Sequence, residues 1–165
     1  MSFSKPILHM VSGKIASGKS TLAGRLSEAD GTILIAEDDW LAALFADQLV
    51  ALKDYVRYSA KLRAIMGPHV ASLLNAGVSV VLDFPANTLE QRAWMRAILD
   101  QTNAAHKLHV LDVPDALCLK RLHERNARGD HSFAATEQEF HTVSRYYVPP
   151  SPQEDFMLVY HHEAD

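Results

Sequence analysis

The chain has 165 residues, 48% of them apolar and 22% charged, and a formal net charge of −4 with nine histidines counted neutral. That length suits one domain, 1–165, able to bury a full core, and the charge balance excludes a whole-protein attraction to nucleic acid or to an anionic membrane. The single cysteine, Cys118, has no partner for an internal disulfide and reads as a small buried apolar residue. Residues 1–6 are too short for a signal peptide, and the longest uncharged apolar-rich stretch, 69–82, falls short of the ~20 residues that a membrane span needs. A cytoplasmic location with no membrane partner is the expectation.

Strands and helices alternate from the start. Residues 7–11 form an apolar run that ends in Ser12-Gly13, and Leu22, Ala23, Leu26 and Ala29 then recur at helical spacing. Residues 32–36 are β-branched and apolar, a second buried strand. Helices are predicted over 41–52 and 55–76, with Gly67-Pro68 as a break or kink. The third strand covers 78–82, and Thr88-Leu89-Glu90-Gln91 resembles a capping box opening a helix to about Gln101. A fourth strand over 108–113 leads to a helix from Asp115 to about Ala127, a loop over 128–135, a helix over 136–146 and a fifth strand over 156–160. Buried apolar strands alternating with helices imply an α/β fold, a doubly wound parallel five-stranded sheet. Ligands of such sheets bind beyond the carboxyl ends of the strands.

Residues 13–21, Gly13-Lys14-Ile15-Ala16-Ser17-Gly18-Lys19-Ser20-Thr21, satisfy G-x-x-x-x-G-K-[ST] in full, between a predicted strand and a predicted helix. The pattern is that of a phosphate-binding loop. Gly13 and Gly18 are expected to supply torsions that side chains would block. Ala16, Ser17, Gly18 and Thr21 would then offer backbone N–H groups to phosphate oxygens at a helix N-terminus. Lys19 would reach the β- and γ-phosphates of a nucleoside triphosphate, and the Ser20 hydroxyl would bind Mg²⁺. No base-reading motif follows, so ATP and GTP both stay open as phosphoryl donor.

Glu37-Asp38-Asp39 follows the second strand. A carboxylate at that place suits the acceptance of a hydroxyl proton during in-line phosphoryl transfer, and Asp38 is the candidate. Asp39 reads as the N-cap of the next helix. Asp83 closes the strand over 78–82, an apolar run followed by Asp that would bring a carboxylate near Mg²⁺ or to the substrate hydroxyl. Arg121, Arg125 and Arg128 fall at i, i+4 and i+7, on one stripe of a helix leading into Gly129-Asp130-His131. Such a stripe suits a lid over about 121–135 that carries guanidinium groups to a transferring phosphoryl. Tyr55, Arg57, Tyr58, Lys61 and Arg63 read as a solvated helix face with core tyrosines, and His161-His162 reads as exposed at the chain end.

These residues resemble those of the P-loop kinases that include polynucleotide 5′-kinase, chloramphenicol phosphotransferase and zeta toxin. They are most similar to the small bacterial ATP-binding proteins of that group labelled AAA-family ATPases. The resemblance rests on residues 13–21, Asp38-Asp39-Trp40, Asp83, Asp112-Val113-Pro114 with Arg121 and Arg125, and the stretch from His131 to Pro149-Pro150. It implies a P-loop fold of the small-kinase type with strand order 2-3-1-4-5, and a helical region over about 41–76 that covers the acceptor. It also implies a catalytic set of Lys19, Asp38, Arg121 and Arg125. Polynucleotide kinases carry an arginine three residues after the catalytic aspartate, where this chain has Leu41. That ranks a small-molecule acceptor ahead of a polynucleotide or nucleoside 5′-hydroxyl. A third possibility is a non-catalytic nucleotide-binding regulatory protein.

Overall fold

Leu8, Met10 and Val11 have no exposed surface, because β1 (Ile7–Ser12) runs through the middle of the sheet. In the computed structural model, which describes residues 4–129 and 134–162, five parallel strands lie in the order β2-β3-β1-β4-β5. The others are β2 (Thr32–Ala36), β3 (Ser79–Pro85), β4 (Ala105–Asp112) and β5 (Leu158–His162). Leu8 faces Val80 on one neighbour and His106 on the other. Parallel strands need crossovers, and these are the helices α1 (Lys19–Leu26), α2 (Glu37–Phe45), α3 (Leu52–Asn75), α4 (Leu89–Asp100), α5 (Asp115–Arg128) and α6 (Glu137–Ser144).

The main core joins Leu8, Met10, Val80, Leu82 and Leu108 of the sheet to Leu62, Met66 and Val70 of α3 and to Met95 and Ile98 of α4. A smaller cluster of Cys118, Leu122, Ala135 and Phe140 lies beneath α5 and α6, with Ile15 and Ala16 of the phosphate loop packed on it. Cys118 is fully buried, as an apolar residue would be. The expected capping box forms at Thr88, and a second, not read from the sequence, forms at Thr136. Thr88 caps α4 with Gln91, and Thr136 caps α6 with Glu139.

Five elements depart from the sequence expectation: β2, read as a buried strand, is an edge strand with Ile33 and Leu34 exposed, and four others differ. First, α2 starts at Glu37 behind Ala36, so Asp39 lies in the first turn rather than at the N-cap; three acids there sit well with the helix dipole. Second, α3 runs unbroken through Pro68. At this level α3 packs on Trp94 of α4: a Cβ on Gly67 would meet the indole at 3.2 Å, and Trp94 Nε1 donates to Arg63 O at 3.2 Å. This indole donor serves the carbonyl next to the one that Pro68 leaves without a helical partner. Third, β3 continues to Pro85, so Asp83 lies within the strand rather than closing it. The pairing with β1 jumps from Met10↔Leu82 to Val11↔Pro85, an irregularity that leaves Asp83 and Phe84 outside the register. Fourth, β5 is displaced to Leu158–His162, which takes both terminal histidines into the sheet.

Candidate active site

The carboxyl ends of β1 and β3 open onto a cleft of about 980 Å³. On one side is the loop between β1 and α1. Gly18 caps α1 with φ of 101°, a left-handed torsion that glycine adopts without strain. Gly13 is not in that region; its constraint is room, since a Cβ would lie 2.4 Å from Ser17 Oγ and 3.2 Å from Leu111 Cβ. The second left-handed torsion falls on Ala16, at φ of 61°. The expectation that both glycines serve torsion thus holds for Gly18 alone. Torsions of this kind gather backbone N–H groups into a concave anion-binding nest.

Lys19 Nζ folds back across the loop and donates to Gly13 O at 2.7 Å and Lys14 O at 2.8 Å. Burial pushes its pKa down to about 8, opposed by the negative charge of Asp83. Ser20 Oγ donates to Asp83 Oδ2 at 2.9 Å. The β3 irregularity and the pairing of Asp83 with Ala36 set this carboxyl level with the start of α2. Burial raises the Asp83 pKa, against the Ser20 hydrogen bond and Lys19. Ser20 and Asp83 are two hard oxygen donors side by side, which fits an Mg²⁺ ion that takes its other ligands from phosphate and water.

Asp38 lines the same cleft from the first turn of α2. Arg121, Arg125 and Arg128 of α5 all line it too, and Arg121 Nη1 reaches Ser17 O at 3.5 Å. Ala16, Ser17 and Thr21 complete the loop's contribution to the wall. Of the candidate catalytic, nucleotide-binding and metal residues, the structure brings all to this cleft except Gly13, which sits buried behind the loop. Of the expected lid, residues 130–133, including Asp130 and His131, lie outside the described residues. Gly129 ends α5 in a left-handed torsion of 69°.

Three residues of the site carry no motif. Asn87 holds Gly13 at both ends of its peptide: Gly13 N donates to Asn87 Oδ1 at 2.9 Å, and Asn87 Nδ2 donates to Gly13 O at 2.8 Å. Its only sequence signal is its place just before the Thr88 capping box, which reads as an ordinary turn. Glu37 is 2% exposed yet lines the cleft, and Tyr55 Oη of α3 donates to Glu37 Oε1. Burial lifts the Glu37 pKa to about 7, against the Tyr55 hydrogen bond. An acidic tripeptide gave no sign that its first member points inward.

On the opposite flank three imidazoles form a file across β1, β4 and β5. His9 Nδ1 lies 3.0 Å from His109 Nε2, and His109 Nδ1 lies 2.9 Å from His161 Nε2. Burial, with His9 and His161 nearby, lowers the His109 pKa to about 4. His161 lines the cleft and is only partly exposed; it belongs to a strand, not to a loose chain end.

Residues 8–150 match the model of a family described as an AAA domain. A search of curated proteins gives no match. Among solved structures, a Chloroflexus aurantiacus protein provisionally named a kinase superposes with a TM-score of 0.77 at 20% identity, over 98% of this chain and 87% of that one. A sugar kinase from Janibacter sp. gives 0.64 at 15% identity over 96% and 85% of the two chains. The Mycobacterium tuberculosis APS kinase, solved with AMPPNP and APS, gives 0.61 at 19% identity over 94% and 88%. At these identities the likeness is one of fold. The chain therefore belongs to the AAA-domain family whose model it matches, and it has the parallel five-stranded fold of the P-loop kinases.

Proposed function

We propose that the protein is an ATP-dependent phosphotransferase that moves the γ-phosphoryl group to a hydroxyl of a small-molecule acceptor. One observation carries this reading: a phosphate loop with Lys19 and two carboxylates, Asp38 and Asp83, border a single cleft with three arginines on its rim. A purely regulatory nucleotide binder needs the loop but has no use for a carboxylate at the acceptor's position.

In this reading the loop N–H groups and Lys19 hold the β- and γ-phosphates, and Ser20 and Asp83 hold Mg²⁺, which when bound neutralises phosphate charge. Asp38 orients the acceptor hydroxyl and takes its proton as the new O–P bond forms and the bond from Pγ to the bridging oxygen of ADP breaks. Arg121 and Arg125 offer charge-assisted donors to the equatorial oxygens, and Arg128 reaches the same phosphates. Membrane chemistry plays no part in this proposal; no helix among the described residues is long and apolar enough to span a bilayer.

The test is a screen with labelled ATP, Mg²⁺ and sugars, nucleosides, antibiotics and oligonucleotides as acceptors, alongside calorimetry of ATP and GTP. Asp38→Asn should bind ATP as the parent does and transfer nothing. Failure of every purine triphosphate to bind at millimolar concentration would sink the proposal.

A further inference from the structure

Glu37 is a buried carboxyl that the mechanism above leaves unused. It opens α2 next to Asp38, is 2% exposed, and lines the cleft. One oxygen, Oε1, is held by Tyr55 Oη. The other, Oε2, is buried with no hydrogen-bond partner. A buried polar atom left unpaired typically costs ~1–3 kcal/mol, and native structures leave few of them without cause. The side chain pinned to Glu37, Tyr55, comes from α3, so the carboxyl stands at the junction of two elements that wall one side of the cleft. Leu52 and Tyr55 of α3 continue that wall.

We infer that Glu37 is a specificity-determining residue: its Oε2 accepts a hydrogen bond from a donor on the acceptor molecule adjacent to the hydroxyl that is phosphorylated. The acceptor class is then a vicinal diol or amino alcohol, as in a sugar or polyol, rather than an isolated alcohol. This rests on the phosphotransferase reading and deepens it. In this inference the two acids take different tasks: Asp38 meets the attacking hydroxyl, and Glu37 the neighbouring donor. Tyr55 keeps the carboxyl from turning, so that Oε2 rather than Oε1 is the one on offer. Arg63, Asp38 and Asp83 are the other charged groups that act on the carboxyl.

The experiment uses matched pairs: ribose and 2-deoxyribose, glucose and 2-deoxyglucose, and adenosine and 3′-deoxyadenosine. Each is offered with labelled ATP and Mg²⁺ to the parent, to Glu37→Gln and to Glu37→Ala, with melting temperature and ATP affinity measured for each protein. A site built to bind a hydroxyl rejects the analogue that lacks it strongly, so the parent should prefer the vicinal member of an accepted pair by ~10²-fold or more in kcat/KM. Glu37→Gln keeps an oxygen for Tyr55 but presents an amide donor where an acceptor is needed. It should lose most of that preference, chiefly through KM, with ATP affinity unchanged. If both variants slow the two members of a pair equally, or only lower the melting temperature, Glu37 is a strut between α2 and α3 and the inference is overturned. Transfer to the deoxy members at the parental rate would overturn it as well. Absence of transfer to any compound, including those of the wider acceptor screen, would instead fell the phosphotransferase reading on which it rests.

Discussion

Lys19 spends its three donors on Gly13 O, Lys14 O and whatever anion enters the loop. Under the proposed function Lys19 meets only the outer phosphates, so Lys19→Ala should abolish transfer and weaken ATP far more than adenosine; calorimetry of the two ligands measures the difference. An equal loss for both would point to misfolding. Asn87→Ala removes the side-chain acceptor of the buried Gly13 N–H, whereas Gly13 O keeps Lys19. The variant should lose ~1–3 kcal/mol of stability, read by urea unfolding, and should bind ATP more weakly. Two buried titrating groups pull the pH dependence of stability in opposite directions. The folded His109 pKa, about 4, lies below the unfolded 6.5, so its contribution is present above 6.5 and is lost as pH falls toward 4. The folded Glu37 pKa, about 7, lies above the unfolded 4.5, so stability linked to Glu37 is gained as pH falls from 7 toward 4.5. Relative to the parent, the melting temperature of His109→Gln should therefore look best in acid, and that of Glu37→Gln best above pH 7. Parallel shifts of both variants across pH 4.5–8 would contradict this.

The elements were legible where local signals and tertiary needs agree. Residues 32–36 form β2 as β-branching suggests, though at the sheet edge rather than buried, and Thr88 caps as its sequence asks. They were illegible where a distant contact decides. Nothing near Pro68 announces that α3 will continue through it, or that Trp94, on another helix, will stand against Gly67. Pro68→Ala, which restores an N–H to an intact helix, should accordingly raise the melting temperature. Likewise, the inward turn of Glu37 depends on Tyr55, eighteen residues away. The phosphate loop was readable because its chemistry needs fixed residue types at fixed spacing. Asn87 was not, since its partner lies 74 residues off. At the level of α5, the arginine stripe faces the cleft as its spacing implied. Hydrogen exchange over residues 121–129 should slow on adding ATP and Mg²⁺, because phosphate oxygens would order these side chains. Arg125→Ala should cut turnover by ~10²-fold with a smaller effect on ATP binding.

Across the whole molecule, the segment after α6 is tied to the site through Arg92. This guanidinium has no exposed surface; it pairs with Glu154 at 2.7 and 3.2 Å and donates to Ala86 O at 3.0 Å and Val148 O at 2.7 Å. Val148 N in turn donates to Asn87 O at 2.8 Å. The residue that steadies the phosphate loop is thus itself steadied from the far end of the chain. Replacing Glu154 by Ala would strand a buried cation, a change that typically costs ~3–5 kcal/mol; denaturant unfolding would show it.

The imidazole file has a consequence in the language of tautomers. If His9 donates from Nδ1 to His109 Nε2, then His109 must donate from Nδ1 to His161 Nε2, and His161 must carry its own proton on Nδ1. Reversed, all three carry it on Nε2. While the rings are neutral, the three residues share one setting, all δ or all ε, and a mixed arrangement breaks a bond. His161 lines the cleft, so a ligand that demands a donor or an acceptor from that ring dictates which nitrogen is protonated on His9, two strands away.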